Sequence, residues 1–141
     1  MRKKIAKKKN LKGTIISALR EIHRNYDENR KLCKERSKVA PATYQCEICG
    51  IWIYEGKSVK NFEKMKEEYP SKEMIMKNRY KIQIDHIDPI IKLEHWEWNW
   101  HEYIERLFCD IDNLQAICSA CHSPKTKKET QIRKNLRNSV K

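Results

Sequence analysis

The chain has 141 residues, 35% of them charged, and its 31 Lys and Arg against 19 Asp and Glu give a formal net charge of +12. That length supports one domain with a modest core, and a glycine count of 3 excludes collagen-like or glycine-rich low-complexity chains. No apolar run is long enough to cross a bilayer, and no apolar signal core follows Met1-Arg2-Lys3-Lys4, so a soluble, cytoplasmic protein is expected.

Charge is unevenly spread: residues 1–40 carry +10, residues 122–141 carry +6, and the middle, 41–121, carries −4. Two basic ends around a mildly acidic centre suit a polyanion gripped by the ends, with carboxylates reserved for the centre. Surplus lysine often serves solubility alone, yet arginines distributed along helical segments favour nucleic acid.

Residues 1–12 read as a lysine-rich arm. From Thr14 to about Arg36, Ile15, Leu19, Ile22, Tyr26 and then Cys33 recur at helical spacing; Thr14 can cap the start and Pro41 bars continuation past Ala40. The other faces of this predicted helix carry Arg20, Arg24, Arg30, Lys31, Lys34 and Arg36. They form either a solvated basic face or one that lies along phosphates, and the flanking charge favours the second. Residues 1–40 are thus a basic arm and amphipathic helix, set apart from 41–141.

Thr43-Tyr44-Gln45 and Ile51-Trp52-Ile53-Tyr54 are two short β runs around Cys46-Glu47-Ile48-Cys49-Gly50, the shape of a zinc knuckle in which Gly50 takes a left-handed conformation. A second pair, Cys118 and Cys121, completes a four-thiolate tetrahedral cage for structural Zn²⁺. Cys33 and Cys109 fall outside this spacing and read as small core residues. Residues 57–79 read as an insertion of two short helical stretches divided at Pro70.

Tyr80 to His86 alternates as a strand, with Tyr80, Ile82, Ile84 and His86 on one face and Lys81, Gln83 and Asp85 on the other. A regular strand aims Asp85 and His86 apart, so it must end or bulge here, and Asp88-Pro89 suits such a break. A histidine ending an apolar strand face is usually a packed core residue; beside an aspartate it also offers a metal ligand and a base.

Leu93 to Phe108 is a second predicted helix, with Leu93, Trp96, Trp100, Ile104 and Phe108 as its core stripe and Tyr103 and Leu107 beside it. Trp98 lies off the stripe as the one exposed ring, and His95 and His101 read as surface or structural residues. Asp112 to Ile117 is a short extended piece. A helix should follow from about Ala120 to Asn138, with Pro124 in its first turn, an apolar stripe of Ile132, Leu136 and Val140, and basic Lys125, Lys127, Lys128, Arg133, Lys134 and Arg137.

Asp85-His86, Asn113 and Cys118-x-x-Cys121-His122, followed by Lys125-Thr126 and Glu129, resemble the HNH nuclease motif in its zinc-bound ββα-metal form. The resemblance covers roughly residues 43–130, and the preceding helix resembles that of small phage HNH endonucleases. The stretch between His86 and Asn113 is longer than in shorter members. What the resemblance implies is an α+β fold with a ββα-metal core in 41–141, hydrolysing phosphodiester bonds of double-stranded DNA in a bacterial or phage-infected cell. It makes His86 the general base and Asn113 a structural clamp on its loop. Asp85 and His122 become ligands of a catalytic divalent ion, Mg²⁺ by cellular default or Mn²⁺ or Ni²⁺. Asp88 is the rival for the role of Asp85. Arg20, Arg24, Lys125, Lys127, Lys128 and Arg133 are the expected DNA-binding residues. The competing reading is a zinc-ribbon DNA-binding protein without catalysis.

Overall fold

The basic N-terminal segment, expected as one helix, is two. The computed structural model describes residues 10–76, 81–94 and 97–139, and in it helix α1 (Leu11–Tyr26) ends at Asp27, where α2 (Glu28–Arg36) begins. Asp27 has extended backbone angles (φ −72°, ψ 119°) and its carboxylate accepts a hydrogen bond from the Arg30 N–H, so one residue closes α1 and caps α2. Asn10, rather than Thr14, caps α1. The expected stripe is also displaced: Ile15, Ile22 and Tyr26 are exposed, while the inward face runs through Ile16, Leu19 and the buried His23. A polar residue at the centre of that face hid its periodicity. Cys33 on α2 is fully buried, as expected.

Strands β1 (Lys38–Ala40), β2 (Thr43–Gln45) and β3 (Trp52–Tyr54) are antiparallel neighbours, and the β2–β3 turn carries Cys46, Cys49 and Gly50 at φ 78°. After β3 comes one helix, α3 (Val59–Glu68), and then β4 (Met74–Met76), which pairs parallel with β3. The second helical stretch expected beyond Pro70 is therefore a strand; residues 77–79 lie outside those described. Trp52 and Tyr54 pack with Phe62, Met65 and Met74, whereas Ile53 points the opposite way, into a cluster with Cys33, Cys46, Ile82, Leu114, Ala116, Ile117 and Cys118. One strand thus serves two cores.

The second sheet is β5 (Ile82–His86) paired antiparallel with β6 (Leu114–Cys118), in unbroken register from Ile82↔Cys118 to His86↔Leu114. The strand ends at His86 without a bulge. Tyr80, expected to begin it, lies outside the described residues. Between them, α4 spans Trp100–Leu107, far shorter than the expected Leu93–Phe108, because Asn99 is extended (φ −138°, ψ 116°) and accepts from the Glu102 N–H as an N-cap. Its inward residues are Tyr103 and Leu107, the flank of the expected stripe, and Ile104 is exposed. Trp98 is half-buried, its ring 4.9 Å from Trp100 and 5.0 Å from Tyr103, so it is not the exposed ring expected. His101 is exposed beside Glu105, as expected; His95 and Trp96 lie outside the described residues. A 3-10 turn, Ile111–Asn113, leads into β6, and α5 (Ser119–Ser139) follows directly with Pro124 in its second turn. Val140 lies outside the described residues. No helix among those described is long and apolar enough to cross a membrane.

Replacing fully buried Ile53 with Ala is expected to cost about 2–5 kcal/mol in denaturant unfolding. Ile22→Ala, at a position 47% exposed, should stay within about 0.5 kcal/mol of wild type.

Candidate metal centre and active site

The Sγ atoms of Cys46, Cys49, Cys118 and Cys121 all lie within 4.8 Å of one another and could hold a metal ion such as zinc. Tetrahedral ligands at the usual zinc–sulfur distance stand about 3.8 Å apart, and Cys49 Sγ is 3.7 Å from Cys118 Sγ. The Cys118 N–H donates to Cys46 Sγ at 3.3 Å, and the Cys46 N–H bonds to Ile51 O, which closes the knuckle. Burial opposes ionisation of Cys46, but backbone N–H groups of Cys49, Cys118 and Ile48 outweigh it and bring its pKa down to about 7. Burial first, then the neighbouring sulfurs, push Cys118 and Cys121 up. A cation at the centre would displace those protons. Cys33 and Cys109 stand apart in or against the core, both held protonated chiefly by burial, Cys33 at about 11.

β6 ends at Cys118, and the first turn of α5 carries Cys121 and His122, so the thiol cluster anchors the turn that presents His122. His122 Nε2 stands 3.5 Å from Asp85 Oδ1. The other oxygen, Asp85 Oδ2, accepts from Gln115 Nε2 at 3.1 Å and pairs with Lys125 Nζ at 3.0 Å. One carboxylate oxygen and one imidazole nitrogen therefore face each other. Two neighbouring ligands of an octahedral ion with bonds of about 2.1 Å are about 3 Å apart, so this pair fits a divalent cation with a small closure. Among the described residues no third His, Cys, Asp or Glu joins the pair closely enough to complete a cage.

His86 is buried, and its Nε2 lies 2.9 Å from Leu107 O at the end of α4. Burial, ahead of every other influence, lowers its pKa, while that carbonyl and Asp85 oppose the shift. The loop behind it is clamped by Asn113: its Oδ1 accepts from the Asp88 N–H at 2.8 Å, its Nδ2 donates to Asp88 O at 3.2 Å, and its own carbonyl accepts from the Ile87 N–H. Asp88 itself points away, two-thirds exposed and paired with Arg106 at 3.1 Å, and Arg106 also donates to Pro89 O and Ile90 O.

A cavity of about 360 Å³ brings Asp85, His86 and His122 together with Arg20, Arg24, Lys125 and Arg133. Lys125 is engaged internally, by Asp85, Glu129 and His86 O, which distinguishes it from an ammonium free for phosphate. Lys127 and Lys128 are exposed and do not line the cavity. His23, absent from the sequence motifs, does. Its ring lies 5.2 Å from that of His86, and Nε2 stands 3.3 Å from Asp27 Oδ2 without hydrogen-bond geometry. Gln115 was equally unmarked, although the cross-strand pairing Asp85↔Gln115 explains its contact.

Burial and then the proximity of His86 lower the His23 pKa to about 4. The unfolded chain, with histidine near ~6.5, therefore binds more protons between those values, and stability should fall as pH drops through that window. Urea unfolding of wild type and His23→Phe should show a shallower pH slope in the variant; equal slopes would remove His23 as the cause. Metal analysis should find zinc bound in wild type and Cys33→Ser, and lost in Cys46→Ser together with a lowered melting temperature. Compared with protein-family models, curated proteins and solved structures, the chain matches none.

Proposed function

We propose that this chain is a metal-dependent DNA endonuclease of the HNH type, with His86 as general base. One observation carries the reading: Asp85, from the end of β5, and His122, from the first turn of α5, stand 3.5 Å apart on a cavity that His86 also lines. The order of elements supports it, since antiparallel β5 and β6 running into α5 is the ββα succession such a core requires. The four-thiol cluster at the β6–α5 junction fits a structural zinc, whose closed ligand set keeps it out of the chemistry.

Asp85 and His122 would hold the catalytic Mg²⁺, Mn²⁺ or Ni²⁺, which when bound stabilises charge on the phosphate and on the leaving oxygen. Leu107 O can only accept a hydrogen bond, so it fixes the proton of neutral His86 on Nε2 and leaves the lone pair on Nδ1. That nitrogen is the one to take a proton from the attacking water. Gln115 and Lys125 keep Asp85 Oδ2 occupied, so that Oδ1 is the oxygen presented toward His122. Asn113 holds the loop following His86 and thereby the direction of its ring. Lys127 and Lys128, exposed on α5, would meet the backbone of duplex DNA.

Supercoiled plasmid incubated with Mg²⁺ or Mn²⁺ should be nicked or linearised by wild type, and His86→Ala should be slower by about 10²- to 10⁴-fold. His122→Ala should need more metal for the same rate. Equal cutting by wild type and His86→Ala, or cutting by neither with any divalent ion, would leave a zinc-stapled DNA-binding protein instead.

A further inference from the structure

We propose that the cavity beside His86 is a phosphate-binding subsite, in which Arg20 and Arg24 of α1 and Arg133 of α5 grip the DNA phosphate adjoining the one to be cut. This rests on duplex DNA as the partner, argued above, and adds where its backbone is held. The walls of the cavity carry Arg20, Arg24, Arg30, Lys125 and Arg133 against two carboxylates, Asp85 and Glu129. Lys125 takes both carboxylates for itself. What remains is a set of guanidinium groups bonded to neutral acceptors: Arg20 to the Tyr103 hydroxyl at 3.2 Å, Arg30 to Ile84 O at 3.3 Å and Arg133 to Ile91 O at 2.9 Å. None of the four arginines has a carboxylate ion pair among the described residues, where Arg36 and Arg106 do.

Two further observations point to a missing anion. Arg133 Nε is buried with no acceptor, although its Nη2 is satisfied. Arg30 is made less basic by burial and next by the like charge of Arg24, which together outweigh the opposing pull of Asp27, so cations crowd here. Surface arginines that serve solubility repel and spread apart; these converge on one concavity from the two basic ends of the chain, α1 and α2 on one side and α5 on the other. Guanidinium is also the side chain whose planar fork matches two phosphate oxygens at once. The grip needs no divalent ion, so the subsite should work where catalysis cannot.

The test is fluorescence anisotropy of a short fluorescein-labelled DNA duplex, without added Mg²⁺ or Mn²⁺ and without chelator, titrated over a range of salt. Wild type should bind, inorganic phosphate should compete, and Arg24→Gln and Arg133→Gln should each weaken binding. Each should also lower the slope of log affinity against log salt by about 1. Arg24 is exposed, so its variant keeps the fold, and Lys64→Gln on the exposed face of α3 should bind as wild type does. Affinity and salt slope unchanged in both arginine variants would overturn the subsite. Arginine-dependent binding with no cleavage under any divalent ion would leave the subsite standing and remove the nuclease reading. Cleavage by wild type together with unaffected binding in the variants would do the reverse.

Discussion

The unbroken antiparallel pairing of β5 with β6 is the constraint on which the rest of the molecule depends. It sets Asp85 opposite Gln115 and His86 opposite Leu114, and it lays Ile82 against Cys118. A slip of one residue would turn every side chain to the other face and separate Asp85 from α5. Because β6 runs straight into α5, the same register delivers Cys118 and Cys121 to the knuckle of Cys46 and Cys49, and it delivers His122 to Asp85. Thiol cluster and candidate active site are two ends of one ladder.

Charge is arranged around that ladder in two layers. Next to it, Lys125 pairs with both Asp85 and Glu129 and ties α5 to the backbone of His86, so a carboxylate can sit half-buried without isolation. Beyond it, Arg20, Arg30 and Arg133 bond to neutral acceptors and leave the cavity cationic. The long segment between His86 and Asn113 has a place in this scheme. Its helix α4 supplies the carbonyl that orients His86 and the Arg106 that holds the following loop.

Features governed by neighbours in the chain were readable in advance. The Cys46-to-Gly50 knuckle, the left-handed Gly50 and the strand ending at His86 each follow from local turn chemistry. The segmentation was less readable. Asp27 and Asn99 divided predicted helices because each caps the helix after it, and a capping side chain looks like any surface polar residue until the backbone turns. β4 was hidden because a parallel partner is chosen by the sheet edge available, here β3, rather than by its own three residues.

By itself the sequence determined which residue types were available for chemistry and their order: two thiol pairs, an Asp-His at a strand end, a histidine behind the last cysteine and arginines at both termini. Only the tertiary structure decided which of them meet. It turned His23 inward beside His86, tied Lys125 to two carboxylates, sent Asp88 out to Arg106 and left four guanidinium groups around one cavity. The reason is physical: spacing sets the face on which a side chain emerges, but its charge partner belongs to whichever element packs opposite, and that is a property of the fold.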